Sequence, residues 1–293
     1  MPSADNPKAS LLEYGLAPSK KRGQNFLVNP ATAARIVALG NYDSQECLVE
    51  VGVGFGALTR KLAAQVRQVI GIELDSGIIR YHETENDLPK NVTLVHGDIL
   101  KMDFSQLSEY AGLPFKILAN LPYSISTPFI FKLIENRTYV HSVIVMLQKE
   151  VSDRLCAQPA TKAYGIPTVL LGSFARVKKH MLVKPAEFHP RPKIDSEVIE
   201  IVFSGRDIGC SLENYQRIVR AAFAERRKTI QNNLSNPSLF PFVPAQEKTL
   251  MKRFVLEILE DSAIDPRIRA ERLTSLQFEN ITCRYEALIS TYR

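Results

Sequence analysis

Asn120-Leu-Pro-Tyr123 is a stretch whose residue types suit chemistry on an aromatic amine. The exocyclic nitrogen of adenine is a poor nucleophile, because its lone pair is delocalised into the ring. Acceptors placed around its two hydrogens pull it toward a tetrahedral, more nucleophilic state. The Asn120 side-chain oxygen and the Leu121 carbonyl are two such acceptors. Pro122 lacks an amide hydrogen and has a fixed φ, so it stiffens the turn. Tyr123 offers a flat ring on which a flipped-out base can stack. Chemistry of this kind rests on positioning and charge complementarity more than on a strong base. The same four residues also read as an ordinary turn after a strand. Glu187-Phe-His-Pro-Arg-Pro-Lys193 is the second candidate for a base pocket. Phe188 could cover the other face of the ring and the prolines would hold the loop stiff; the plainer reading is a proline-rich connection between strands.

A ligand site can be read nearer the N-terminus. Glu50-Val-Gly-Val-Gly-Phe-Gly56 follows an apolar run and precedes a helical pattern. Gly52 and Gly54 let the backbone turn sharply and approach a ligand. The spacing is GxGxG, not the GxGxxG of dinucleotide binders. Glu73 ends the next apolar run and could accept hydrogen bonds from both hydroxyls of a ribose. Asp98 ends the one after, where it could accept from an adenine amino group. Either acid alone reads as a cap or a solvated charge. Acids at the carboxyl ends of successive strands, beside a glycine loop, point together to a nucleoside. The loop contains no Lys or Arg, which disfavours a phosphate ligand and a Walker-type loop.

Positioning these residues requires strands that alternate with helices. Apolar runs at 47–51, 68–74, 91–96, 115–119 and 142–147 read as buried strands, and 57–66 as a helix. Asn29-Pro30 supplies a cap and a first helical residue. This alternation implies an α/β fold with a mostly parallel sheet covered on both faces. A helix is expected after Tyr164 to about 175, then strands over 176–183 and 197–203. Beyond Gly205 the pattern turns helical over 215–234, 245–259 and 265–293. The expected division is a flexible basic arm over 1–22, a catalytic domain over 23–205 and a smaller helical domain over 206–293.

The 293 residues are 45% hydrophobic, enough for a sizeable core. The net charge of +6 suits a polyanionic partner or a generic basic protein equally. Cys47, Cys156, Cys210 and Cys283 form no CxxC pair, and the histidines have no ligand spacing, so neither a metal site nor a disulfide is expected. No signal peptide or membrane span is read, which makes the expected location cytoplasmic. Within 214–233, Arg217, Arg220, Arg226, Arg227 and Lys228 stand against one acid, Glu225. Read as one helix, Arg217, Arg220 and Arg227 share an outer face that could grip RNA phosphates; a solvated surface is the alternative. Arg176, Lys178, Lys179 and Lys184 could extend it.

Taken together, these residues resemble the ribosomal RNA adenine dimethyltransferases. The likeness runs from about residue 24 to 234. It covers Gln24-Asn-Phe-Leu27, the glycine loop, Glu73, Gly97-Asp98, Asn120-Leu-Pro-Tyr123 and Gln148-Lys-Glu-Val151. It continues through Phe188-His-Pro-Arg-Pro-Lys193 and Ala222-Phe-Ala-Glu-Arg-Arg-Lys-Thr-Ile-Gln-Asn-Asn-Leu234. The resemblance implies a Rossmann-like S-adenosylmethionine methyltransferase sheet with a C-terminal helical RNA-binding domain, acting as a monomer. It implies S-adenosylmethionine contacts at Asn25, Leu27, Gly52, Glu73, Asp98 and Asn120. It also implies a substrate of two adjacent adenines in a hairpin near the 3′ end of small-subunit rRNA, each dimethylated at N6 during ribosome assembly. Val53 stands where the family often has Pro, and Ile166 where an Arg commonly follows Tyr-Gly. Rival readings are a large-subunit enzyme of the macrolide-resistance kind and a non-catalytic RNA-binding assembly factor. A nicotinamide dehydrogenase is disfavoured by the glycine spacing.

Overall fold

The computed structural model describes residues 23–244 and 246–292. The basic arm expected over 1–22 lies outside the described residues. The strands in chain order are β1 (Phe26–Leu27), β2 (Cys47–Val51), β3 (Gln68–Glu73), β4 (Val92–His96), β5 (Phe115–Asn120), β6 (Val140–Gln148), β7 (Ala175–Val183), β8 (Phe188–His189) and β9 (Ser196–Phe203). Among the described residues, seven of them form one sheet in the order β4-β3-β2-β5-β6-β9-β7, and β1 pairs antiparallel with β8. The neighbours from β4 to β6 are parallel, and β9 runs antiparallel to β6. The mostly parallel α/β sheet is therefore as expected.

All five residues of β2 are buried, as a strand covered on both faces requires. Leu48, Leu118, Ile144, Met146 and Val198 pack on one face against Ala33, Ile36 and Val37 of the helix Pro30–Ala38 and Leu62 of the helix Thr59–Ala63. Phe115 points to the opposite face from Leu118 by strand alternation, and meets Phe104 of the helix Phe104–Ala111 at 5.9 Å. Each buried side chain of this size contributes about 1.5–3 kcal/mol. The Asn29 side chain accepts from the Ala31 and Thr32 amides, and Pro30 follows, as its sequence predicts.

The chain divides into two units. One comprises the described residues up to Ser152 with Arg176–Gly205; the other comprises Asp153–Ala175 with the residues from Arg206 onward. The division thus differs from a single cut near 205, because 153–175 joins the helical unit. Its helix, Ile166–Gly172, is bound there by the Ser275 hydroxyl, which donates to Val169 O at 2.9 Å. Beside it, the Tyr164 hydroxyl donates to Leu273 O at 2.8 Å.

A second difference concerns the basic stretch. The one helix expected over 215–234 is two, Leu212–Ala222 and Ile230–Leu234. The buried Asn233 side chain donates to Ala222 O (2.6 Å) and Glu225 O (3.0 Å), taking carbonyls at the end of the first helix. Thr229 caps the second helix through Asn232 N–H. Further on, Lys248–Asp261 and Ser275–Ser290 are helical, while 265–274 is not the helix start expected.

Candidate active site

Order reverses in the sheet between β2 and β5: β3 and β4 lie on one side of β2, and β5 and β6 on the other. Ligands of open α/β sheets bind at such a point, beyond the carboxyl ends of the strands. A cleft opens there, lined by 24–27, 52–55, Ala57, Leu58, Glu73, Asn120, Leu121, Pro122, Tyr123 and Phe188. The structure therefore brings together Asn25, Leu27, Gly52, Gly54, Glu73, Asn120, Leu121, Pro122, Tyr123 and Phe188, which lie far apart in sequence.

Gly52 makes the approach of β2 to β5 possible. Its φ is +82°, and a Cβ there would sit 2.5 Å from Asn120 O. Gly54 also has positive φ, and its N–H donates to Glu73 Oε2 at 3.0 Å. The other oxygen of Glu73 accepts the Asp75 N–H at 2.9 Å. Glu73 is 7% exposed. Burial raises its carboxyl above the usual range, and the Gly54 and Asp75 amides offset part of that rise. Each oxygen keeps a second lone pair for a ligand hydroxyl. Phe55, between two glycines, meets Phe26 edge-on at 4.8 Å and Tyr81 at 5.1 Å, so an aromatic cluster backs the loop.

Asn120 ends β5. Pro122 (φ −54°) caps a short 3-10 turn over Tyr123–Ile125. The half-buried Tyr123 shares a 2.7 Å hydrogen bond between its hydroxyl and Ser196 Oγ. Burial raises its phenol, less so for the Ser196 bond. The ring is thus tethered at its far end. Phe188 lies opposite Leu27 in the β1–β8 pair and is 3% exposed, so it offers the cleft little of its ring. The backbone between His189 and Pro190 is cis.

Asp98 is not in the cleft wall. It lies beyond the end of β4, and its Oδ1 accepts the Leu100 N–H at 3.0 Å. The basic residues behave unevenly. Arg217 donates to Ser238 O at 2.6 Å and is partly buried, so it serves the helical unit's own structure. Arg226, Arg227 and Lys228 sit in the loop between two helices, not on one face with Arg217 and Arg220. Arg226 pairs with Glu271 and Lys228 with Glu225. Arg227 and Arg220 are exposed.

Sequence reasoning missed Phe26, Phe55 and the Gln24 side chain, which donates to Asp75 Oδ2 at 2.9 Å beside the cleft. An aromatic residue between two glycines was the available signal for Phe55. Among the described residues no group of His, Cys, Asp or Glu is arranged to hold a metal, and no helix is long and apolar enough to cross a membrane. The cleft wall carries one carboxylate and no Lys or Arg, with loop glycines that leave the backbone open. Those features fit a nucleoside without phosphates.

The ribosomal RNA adenine dimethylase family profile matches residues 17–272. The chain is 48% identical over 291 residues to "Ribosomal RNA small subunit methyltransferase A" of Desulfotalea psychrophila, spanning 98% of this chain and 97% of that protein. It is 38% identical over 272 residues to the protein of the same name from Syntrophus aciditrophicus, spanning 92% and 94%. The structure is similar to a dimethyladenosine transferase from Plasmodium falciparum, with a TM-score of 0.75 and 25% identity, covering 89% of this chain and 98% of that one. The 23S rRNA methyltransferase ErmE shares the fold, with a TM-score of 0.62 and 23% identity, covering 89% and 99%.

Proposed function

This chain belongs to the ribosomal RNA adenine dimethylase family, and from that premise we propose that it dimethylates N6 of two adjacent adenines in the 3′-terminal hairpin of small-subunit rRNA. One observation carries the reading: Asn120-Leu-Pro-Tyr123, at the end of β5, lines the same cleft as the glycine loop and Glu73. S-adenosylmethionine supplies an electrophilic methyl group when bound.

The rest is the work of this chain's own residues. Glu73 accepts the ribose hydroxyls, and Gly52 and Gly54 let the loop backbone come close. Asn25 and Leu27 line the same wall. Asp98, beyond the end of β4, accepts from the adenine amino group of the cofactor. The Asn120 side chain and the Leu121 carbonyl accept the two amine hydrogens of the target base. Tyr123, tethered to Ser196, stacks on its ring. The charge that builds on the amine nitrogen leaves as a proton, so these neutral acceptors suffice. Phe188 contributes at most an edge.

The first unit carries this cleft, and the helical unit contributes phosphate contacts through the exposed Arg220, Arg226, Arg227 and Lys228. The location is the cytoplasm, where immature small subunits are found.

Incubation with radiolabelled S-adenosylmethionine and undermethylated small ribosomal subunits, followed by mapping of the label, tests the reading. N6,N6-dimethyladenine at two adjacent hairpin positions is the expected result. Label confined to large-subunit rRNA would overturn it. So would absence of transfer despite cofactor binding, which is the outcome an assembly factor gives.

A further inference from the structure

Behind the glycine loop, a buried histidine with no role assigned above joins a loop carbonyl to a carboxylate. His82 lies on the helix Ser76–Glu85 and is 4% exposed. Its Nε2 is 2.7 Å from Gly54 O, and its Nδ1 is 2.6 Å from Asp87 Oδ1. Asp87 pairs through its other oxygen with Arg60. Arg60 in turn donates to Phe55 O at 2.7 Å. The chain of contacts therefore begins and ends on consecutive carbonyls of the loop.

A backbone carbonyl only accepts, so the hydrogen between His82 and Gly54 sits on Nε2. Asp87 faces His82 through one oxygen and Arg60 through the other. Burial alone would raise its carboxyl, but His82 and Arg60 more than offset this and hold it below the usual range. Hydrogen bonds to charged partners are the stronger kind. Glu73 takes the Gly54 N–H on the other side of the same residue. Gly54 is thus fixed at both its amide and its carbonyl. In a trans peptide the N–H points opposite the C=O. Pinning Gly54 O to His82 therefore turns the Phe55 N–H away from His82, and Phe55 lines the cleft. Gly54 has φ +54° and enough freedom to take other shapes, so its conformation must be imposed by such contacts.

We infer that His82, held by Asp87 and Arg60, is a positioning residue that sets the glycine loop in its ligand-receiving shape, so that it governs cofactor affinity without touching cofactor or base. The inference rests on reading this cleft as the S-adenosylmethionine site. Its basis is preorganisation: a loop already in its bound shape loses less freedom on binding.

Two isosteric substitutions separate the roles of the ring nitrogens. His82→Gln places an amide N–H near the Nε2 position, and His82→Asn places its amide near Nδ1 and leaves Gly54 O without a donor. Calorimetric titration with S-adenosylmethionine, thermal unfolding and steady-state kinetics are measured on the full-length chain. For His82→Asn the cofactor Kd and KM rise about tenfold, the ratio expected for one hydrogen bond of ordinary strength. Its kcat at saturating cofactor stays within about twofold, as loss of binding shared equally by ground state and transition state predicts. His82→Gln restores affinity to within about threefold of wild type, because the donor to Gly54 is kept. Wild-type affinity in a folded His82→Asn protein overturns the inference. Equal losses in both variants, tracking their melting temperatures, overturn it too, since that pattern marks a purely structural role. Should His82→Asn not fold, Arg60→Met removes the donor to Phe55 O: weakened binding supports the inference and unchanged binding overturns it. Failure of the wild-type protein to bind S-adenosylmethionine at all is a separate result, which overturns the reading of the cleft and the inference with it.

Discussion

Glu73 already holds two backbone amides before a ligand arrives, so its carboxylate joins loop to strand as well as serving a ribose. Glu73→Ala is expected to weaken S-adenosylmethionine binding by about 1–3 kcal/mol, the range for hydrogen bonds to a charged group. Calorimetry checks this, and unchanged affinity would refute the ribose assignment. Tyr123→Ala is expected to leave cofactor affinity within about twofold and to slow methyl transfer by about tenfold or more, the stacking contribution of one base. Normal turnover would remove the stacking role. Glu50, in the middle of β2, is a different case. It is 1% exposed, and neither carboxyl oxygen has a hydrogen-bond partner among the described residues. Burial pushes its carboxyl up to about 8; the Thr59 hydroxyl pulls it down, Glu73 pushes it up and Arg60 pulls it down. The folded-state value lies above the unfolded one, so the folded chain binds this proton more tightly. The associated stability is present in full below the unfolded value and is lost as pH rises toward about 8. Glu50→Gln removes this titration. Its stability relative to wild type should rise by about 1.4 kcal/mol per pH unit between about pH 5.5 and about pH 7.5. Parallel denaturation curves for the two proteins across that window would contradict the assignment.

At the level of elements, most strands are legible in the sequence because a strand buried on both faces is a continuous apolar run. β2 and β5 are of this kind. Their placement beside each other is not legible, since it depends on Gly52 fitting under Asn120 O. Gly71 in β3 is similar: a Cβ there would sit 2.7 Å from Val53 Cγ2, so the strand needs a glycine to seat the loop. Nothing in the local pattern announces that. The basic stretch shows the reverse failure. Its apolar periodicity continues from Ile218 through Leu234, and periodicity alone predicts one helix. The break comes from Asn233, a polar residue whose side chain reaches back 8 and 11 residues to carbonyls that no apolar periodicity encodes. Asn233→Ala would strand the buried Ala222 carbonyl and lower stability of the helical unit by about 1–3 kcal/mol. Chemical denaturation checks this, and an unaltered midpoint would assign the break to another cause. The cleft residues were readable individually from chemistry. Asp98 joins that group in the sequence because it ends a strand; in the fold it lies beyond the end of the edge strand β4, where its side chain accepts the Leu100 N–H.

For the whole molecule, the net charge of +6 supplies a salt-dependent attraction to RNA, of which the exposed loop cations are the local part. Arg227→Ala is expected to weaken binding to the substrate RNA and to reduce the slope of log affinity against log salt by about 1, with no effect on S-adenosylmethionine affinity. An unchanged slope would remove Arg227 from the phosphate-contacting set. The division into units carries a temporal consequence. The helix Ile166–Gly172 belongs to the helical unit, yet it is translated before β7 and β9, which complete the sheet of the first unit. The partners that bury Val169, Leu170 and Leu171 lie at Leu212–Ala222 and Ser275–Ser290, far downstream. At about 5–20 residues per second, the apolar stretch waits on the order of 5–20 s for the last of them. The nascent chain therefore passes through a state in which the sheet can close while a hydrophobic segment spliced into it is still exposed. That interval, rather than the finished protein, is when the segment is most open to non-native contacts.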